Sequence, residues 1–181
     1  GTGNFTLQNS ANNIGVLAGG IAGTRLGNVA YRDADALEIG TVGALNGLFS
    51  SGTLLVETES GNLTLSQALN STSTSDDAII LNAGRTAAAG TASGGDIIVS
   101  GNPTISIDAA ARAKLFSGSE ANSTGLTTLV GGSGNTRSGF DEASDLSGEG
   151  LADDNAYALY REAGNNSLYT DGVDDFVELA S

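Results

Sequence analysis

The chain has no cysteine, histidine, methionine or tryptophan, and one proline in 181 residues. Without cysteine no disulfide framework exists, so the sequence marks neither an oxidising nor a reducing compartment. Without histidine and cysteine, the usual zinc sites, Ser-His and Cys-His nucleophile pairs and imidazole acid–base chemistry are excluded. Catalysis would have to rest on carboxylates, Arg, Lys, Tyr or a hard metal. Cations are scarce as well: seven Lys and Arg stand against 21 Asp and Glu, a net charge of −14. Nucleic acid needs a basic footprint for its phosphates, so it is not an expected partner, and an anionic membrane surface is disfavoured for the same reason. No stretch approaches the ~18 apolar residues of a membrane helix, so no membrane insertion is expected. No secretory leader is visible. The first residue is Gly1 rather than Met, which predicts a processed chain or an excised piece.

What is abundant is glycine, 27 residues, while aromatics make up only 5%. Glycine without proline points to many tight turns between short strands rather than to a linker. The dipeptide Gly-Asn recurs at Gly3, Gly27, Gly61, Gly101, Gly134 and Gly164, with spacings of 24, 34, 40, 33 and 30. Four copies open β-type runs: "GNFTL", "GNVAY", "GNLTL" and "GNPTISI". Further strand candidates are "NIGVLAG" (13–19), "GTLLVET" (52–58), "DAIILNAG" (77–84), "GDIIVSG" (95–101) and "TGLTTLVG" (124–131). All are short, β-branched or Leu-rich, and bounded by turn residues. Two stretches, 108–116 and 151–164, carry helix formers after an Asp and read equally as helix or strand.

Short strands, loose repeats and few aromatics fit an all-β fold of the solenoid type, a right-handed parallel β-helix. Each strand there pairs with the coils before and after it, ~4.8 Å away. Small apolar residues suit the narrow interior, Gly and Asn suit the corners, and stacked Asn side chains form ladders. A β-sandwich also shows short strands at even intervals, but with a richer aromatic core and fewer glycines. Residues 1–116 hold nine acids and five bases, and residues 117–181 hold twelve and two. The expected division is therefore a solenoid body over 1–116 and a less regular, acidic, Tyr-containing end or cap over 117–181. Within "GNVAYRDADALEIGTV" (27–42), one straight strand would put Asp33 and Asp35 on the same face as Val29, Tyr31, Leu37 and Ile39. Unpaired buried carboxylates cost several kcal/mol. A corner at "RDAD" resolves this, with Asp33 exposed or bonded to turn N–H groups and with Leu37 and Ile39 buried.

The stretch "GNVAYRDADALEIGTVGALNGLFSSGTLLVETESGNLTL" resembles the repeats of filamentous-haemagglutinin-type bacterial surface exoproteins. "STGLTTLVG" followed by "YALYRE" is similar to a segment that follows the repeat array in those proteins. The resemblance spans roughly residues 12–163. It implies a right-handed parallel β-helix, export to the cell surface or medium, and adhesion or biofilm contacts, with glycans, host surfaces or other surface-protein subunits as partners. It brings no universal catalytic residues.

The candidate chemistry is thin. "SDDAIILNAG" (75–84), with Asp76 and Asp77, resembles the Asp-Asp-x-Ile motif of polygalacturonase-like enzymes, in which paired carboxylates activate water and protonate a leaving oxygen. The companion motifs are missing apart from Arg112-Ala-Lys114. A turn in which Asp76 and Asp77 accept backbone N–H bonds is the simpler reading. No catalytic and no cofactor-binding residue is assigned, and a β-helix polysaccharide lyase or hydrolase ranks third among the functions. "TDGVDDFVE" gathers Asp171, Asp174, Asp175 and Glu178 around a glycine turn, a set of hard oxygen ligands suited to calcium. No cofactor is required. The leading expectation is a structural or adhesive rod of an exported bacterial surface protein, located outside the cell. The alternative is an extracellular filament subunit, a homopolymer joined by β-strand addition or end-to-end stacking.

Overall fold

The structure is a computed structural model and describes residues 2–164. The fold is nearly all β, and its three larger sheets are wholly parallel. The chain visits them in a repeating cycle. The first pass gives β1 (Phe5–Leu7) and β2 (Val16–Leu17). The second gives β3 (Val29–Asp33), β4 (Leu37–Ile39), a small antiparallel hairpin of β5 (Thr41–Val42) and β6 (Leu45–Asn46), and β7 (Leu48–Ser50). The third gives β8 (Leu54–Thr58), β9 (Leu63–Leu65) and β10 (Leu69–Ser71). The fourth gives β11 (Ile79–Asn82), β12 (Ile97–Val99) and β13 (Ile105–Ser106). After β14 (Arg112–Ser117) come a single helical turn, α1 (Leu126–Leu129), a 3-10 turn at Ser133–Asn135, then β15 (Thr136–Ser138) and β16 (Asn155–Tyr160).

The first sheet runs β1-β3-β8-β11-β14-β16-β15, the second β2-β4-β9-β12 and the third β7-β10-β13. Residues 117–160 thus add two strands to the first sheet. The register stacks like on like. Val29, Leu54, Ile79 and Ala113 form one inward column, and Tyr31, Val56, Leu81 and Leu115 another. Leu37, Leu63 and Ile97 line up in the second sheet, and Leu48, Leu69 and Ile105 in the third. Alternation along each strand sends these side chains inward, where they merge into one apolar core.

The Gly-Asn dipeptides have a specific use. The Asn4 carboxamide oxygen accepts the Asn28 N–H at 2.8 Å, and that of Asn28 accepts the Thr53 N–H at 3.0 Å. A second ladder runs from Asn62 to the Asp96 N–H (2.9 Å), and from Asp96 to the Ser119 N–H (2.8 Å). The glycine before each receiving residue makes room. A Cβ on Gly27 would collide with the Asn4 oxygen, and one on Gly52 with the Asn28 oxygen. A Cβ on Gly118 would lie 2.7 Å from an Asp96 carboxylate oxygen. These glycines are required for close approach, not for an unusual φ.

Three features differ from the sequence reading. First, β3 runs through Asp33, so the corner shortens to Ala34–Ala36. Asp35 is exposed, and Asp33, expected to be exposed or bonded to turn N–H groups, takes the second course while lying fully buried beside Tyr31. Its carboxylate accepts the Ile14 N–H (3.0 Å), the Asp35 N–H (3.3 Å) and the Tyr31 hydroxyl (2.6 Å). The carboxylate thus lies inside because corner donors and a phenol replace water. Leu37 and Ile39 are buried as expected. Second, "TGLTTLVG" is a helical turn rather than a strand. Leu126, Leu129 and Val130 recur at i, i+3 and i+4, a helical spacing, and pack on the core from one face. Third, the two ambiguous stretches are both strands, β14 and β16. Their alternate side chains pack on opposite sides of the first sheet.

Gly52→Ala is expected to cost about 1–3 kcal/mol through overpacking against Asn28. Gly134→Ala, whose Cβ meets nothing within 4 Å, should leave the urea midpoint nearly unchanged. Paired urea denaturation curves check both.

Burial first, and then the hydrogen bond and charge of Asp33, push the Tyr31 phenol well above its ordinary range. The folded state therefore holds this proton more tightly than the unfolded chain. The stabilisation is complete below about pH 10 and is lost as the pH rises through the folded value. Tyr31→Phe should lower stability at neutral pH by about 1 kcal/mol and flatten the decline above about pH 10. Denaturation curves from neutral to alkaline pH, with tyrosinate absorbance followed in parallel, measure both effects.

Candidate functional site

The outer face of the first sheet carries the charges. On β3 and β8, the side chains of Arg32 and Glu57 occupy paired outward positions. Both Nε and Nη2 of Arg32 donate to one Glu57 oxygen at 3.1 Å, and Arg85 Nε donates to the other at 3.1 Å. Glu59 lies 3.5 Å from Arg32 and 3.7 Å from Arg85. The Glu57 side chain is only 7% exposed, so this four-membered network is a partly desolvated, neutral set.

A second cluster lies further along the same face. Asp76 and Asp77 do sit in the turn before β11, but their carboxylates point to cations on the next strand rather than to backbone N–H groups. Lys114 Nζ lies 2.5 Å from Asp77, and Arg112 lies 3.5 Å from Asp76 and 2.7 Å from Asp153. The parallel register of β11 with β14 brings these residues together. The motif fragments Asp76-Asp77 and Arg112-x-Lys114 thus meet in space, as a lattice of exposed ion pairs. Glycoside hydrolysis needs one carboxyl that keeps its proton and a second that is free to act on water or on the sugar. Here both aspartates lie against cations.

Residues 139–152 fold over this face. Leu146 and Leu151 cover Ile80, Phe116, Tyr157 and Leu159, a second apolar cluster outside the sheet. Tyr157 ties the segment down by accepting the Ala152 N–H at 2.8 Å and donating to the Ala152 carbonyl at 3.2 Å. Asp141 fixes its start by accepting the Ala89 N–H at 2.9 Å. That bond, ahead of the opposing effect of burial and of further donors from Ser144 and Ala143, holds its carboxyl below the usual range. Between this segment and the sheet lies a cleft of about 300 Å³. Asp77, Lys114, Phe116, Glu142, Asp145 and Leu151 are among its walls. Two cations, Arg112 and Lys114, with several carboxylates and an apolar wall suit a polar ring with a hydrophobic face, such as a sugar.

Arg161, directly after β16, is fully buried. It donates to the Gly95 carbonyl at 2.7 Å and to the Asn82 carboxamide oxygen at 3.4 Å, and its Nε has no partner among the described residues. Burial draws its pKa down, against the charges of Glu142, Asp96 and Asp141.

Asp171, Asp174, Asp175 and Glu178, the calcium candidates, lie outside the described residues. Among the described residues, no group of three or more acidic side chains is placed to hold a metal ion, and no helix is long and apolar enough to cross a membrane. The Glu57 network was absent from the sequence reading, although a signal existed. Arg32 and Glu57 each stand five residues after a corner glycine, Gly27 and Gly52, so equal offsets predict a cross-strand pair. Nothing comparable announces Arg161. Comparison with family models, with curated proteins and with solved structures gave no match.

Glu57→Ala leaves Arg32 and Arg85 sharing only Glu59. The expected loss is about 2 kcal/mol, read as a shift in the urea midpoint with an unchanged m-value.

Proposed function

We infer that the chain is a structural and adhesive segment of an exported bacterial surface protein of the filamentous-haemagglutinin type. Its three parallel sheets are then the faces of one right-handed β-helix, with residues 117–164 as a less regular end. The observation that carries the reading is the cyclic visiting of the three sheets with in-register parallel pairing at each pass. Parallel crossovers are right-handed in nearly all proteins, which supports the hand. A stack of this kind is stiff, because each pass is held by backbone hydrogen bonds to both neighbours. The work of such a segment is mechanical. Contacts with glycans or host surfaces fall to loops such as residues 139–152, with the adjoining cleft as the point of attachment.

Small-angle scattering and a glycan-binding panel test the primary reading together. The expected outcome is a rod-like scattering profile and retention on at least one glycan surface, without new reducing ends or unsaturated uronic ends. Lys114→Ala should weaken that retention several-fold and leave the scattering profile unchanged. Turnover of any glycan in the panel, or a globular profile, overturns the adhesive rod.

A further inference from the structure

Parallel pairing stacks side chains on the outside of a sheet as well as in the core. One outward row of the first sheet reads Ala30, Leu55, Ile80, Lys114 and Tyr157, across β3, β8, β11, β14 and β16. Neighbouring strands lie ~4.8 Å apart, so the row runs roughly 19 Å along the stack. Ala30, Leu55 and Ile80 are apolar and partly exposed. Ile80 and Lys114 are also walls of the cleft beside residues 139–152. The cleft therefore continues, past Ile80, into a narrow apolar track over the third and second passes. The borders of the track are polar. Arg32 and Glu57, two residues on from Ala30 and Leu55, flank one side. Asp76 and Asp77, in the turn before β11, flank the other.

Charge decides what fits. Arg32, Arg85, Arg112 and Lys114 are each in an ion pair, so none is free to capture a carboxylate or a sulfate. The net charge of −14 adds repulsion of any acidic chain. Lys114 in turn stands against an ammonium group in the same cleft. Walls of both signs thus disfavour a ligand charge of either sign. Glu142 and Asp145, also in the cleft wall, have no ion-pair partner among the described residues. Such carboxylates accept hydrogen bonds from hydroxyl groups.

We propose that the track binds a linear, uncharged polysaccharide laid along the stack, with one sugar seated in the cleft and the next ones over Ile80, Leu55 and Ala30. The proposal rests on the glycan-binding reading above and adds the charge class of the glycan and its direction. The C–H faces of the rings lie on the apolar row, and a few polar groups at its borders fix their orientation. Hydroxyls at the ring edges donate to the bordering carboxylates, and Lys114 donates to a hydroxyl in the cleft.

The test titrates the full chain with ladders of neutral β-1,4-linked glucose and mannose oligomers, from dimer to hexamer. Galacturonic acid and glucosamine oligomers of equal length run alongside, with an oligolysine peptide. At least one neutral ladder is expected to bind, gaining at least tenfold in affinity from dimer to hexamer. Raising the salt tenfold should change that affinity little, because no ligand charge is screened. The acidic and amino oligomers should bind at least tenfold more weakly. Leu55→Glu puts a charge on the track outside the cleft. It should reduce the hexamer to the affinity of the trimer and leave the dimer unaffected. Ala30→Glu, one pass earlier, should remove a smaller part of the same gain, and unchanged urea midpoints show that both variants are folded. A preference for the acidic or amino oligomers or for oligolysine overturns the proposal, as does an affinity that does not grow with chain length or a gain that survives both substitutions. Acidic or amino oligomers binding in place of neutral ones leave the glycan-binding rod standing. Binding of no oligosaccharide of any charge removes the glycan reading itself, and the proposal with it.

Discussion

In-register parallel pairing between successive passes is the constraint on which the rest depends. It fixes which side chain lies over which, so every residue answers to the one a pass earlier and the one a pass later. Apolar residues gain from this, because similar shapes stack and the interior fills mainly with aliphatic side chains, Tyr31 and Tyr160 being the aromatic members of the main cluster. Charges do not, since like charges in one column repel. The outer face accordingly alternates sign: Arg32 lies beside Glu57, and Arg112 stands between Asp76 and Asp153. With 21 acids and seven bases, cations are the limiting resource. Arg32, Arg85, Arg112, Lys114 and Arg137 are in ion pairs. Arg25 bonds the Ser50 carbonyl and Asn70, and stacks on Phe49. Arg161 is buried. All seven cations hold the fold.

The same pairing creates a cost at corners, where the chain leaves one sheet before it enters the next. Backbone donors there have no strand partner and must find another acceptor. The chain answers with one polar side chain at the strand end, turned inward. Asp33 serves the corner after β3. Thr58 Oγ1 accepts the Gly84 N–H at 2.8 Å and donates to the Gly61 carbonyl at 3.0 Å. Ser117 Oγ accepts the Ile97 N–H at 2.8 Å. These residues head one column of the first sheet, so the interior is apolar along the strands and polar along one edge.

This explains which parts of the architecture were legible in the sequence. Strand alternation was, because period two survives wherever one face is buried. Asn ladders were, because an Asn stacked on its neighbour needs a glycine beside it, and the dipeptide repeats. Asp33 was legible only in part. The rule that buried carboxylates need partners is sound, but the partners are the Ile14 N–H from another pass and the Tyr31 hydroxyl, and no local pattern shows them. The helical turn at Leu126–Leu129 fails for another reason: a Leu/Thr/Val-rich run of eight residues fits both periods, and tertiary packing decides. The cleft was hidden because one of its walls, residues 139–152, follows no repeat.

The passes also lengthen along the stack. Equivalent residues are 24 apart from β1 to β3 and 25 apart from β3 to β8 and from β8 to β11, then 34 from β11 to β14 and 43 from β14 to β16. The added residues leave the core register intact. They accumulate as loops on the outside, since loop length costs little once the ends are fixed. Sequence can therefore change there without disturbing the ladders, and there the chain builds the Leu146–Leu151 cover, the cleft and the enclosed Arg161. The early passes are nearly bare coils, whereas the late passes carry the added loops. The core register serves both, and only the outside of the fold changes from pass to pass.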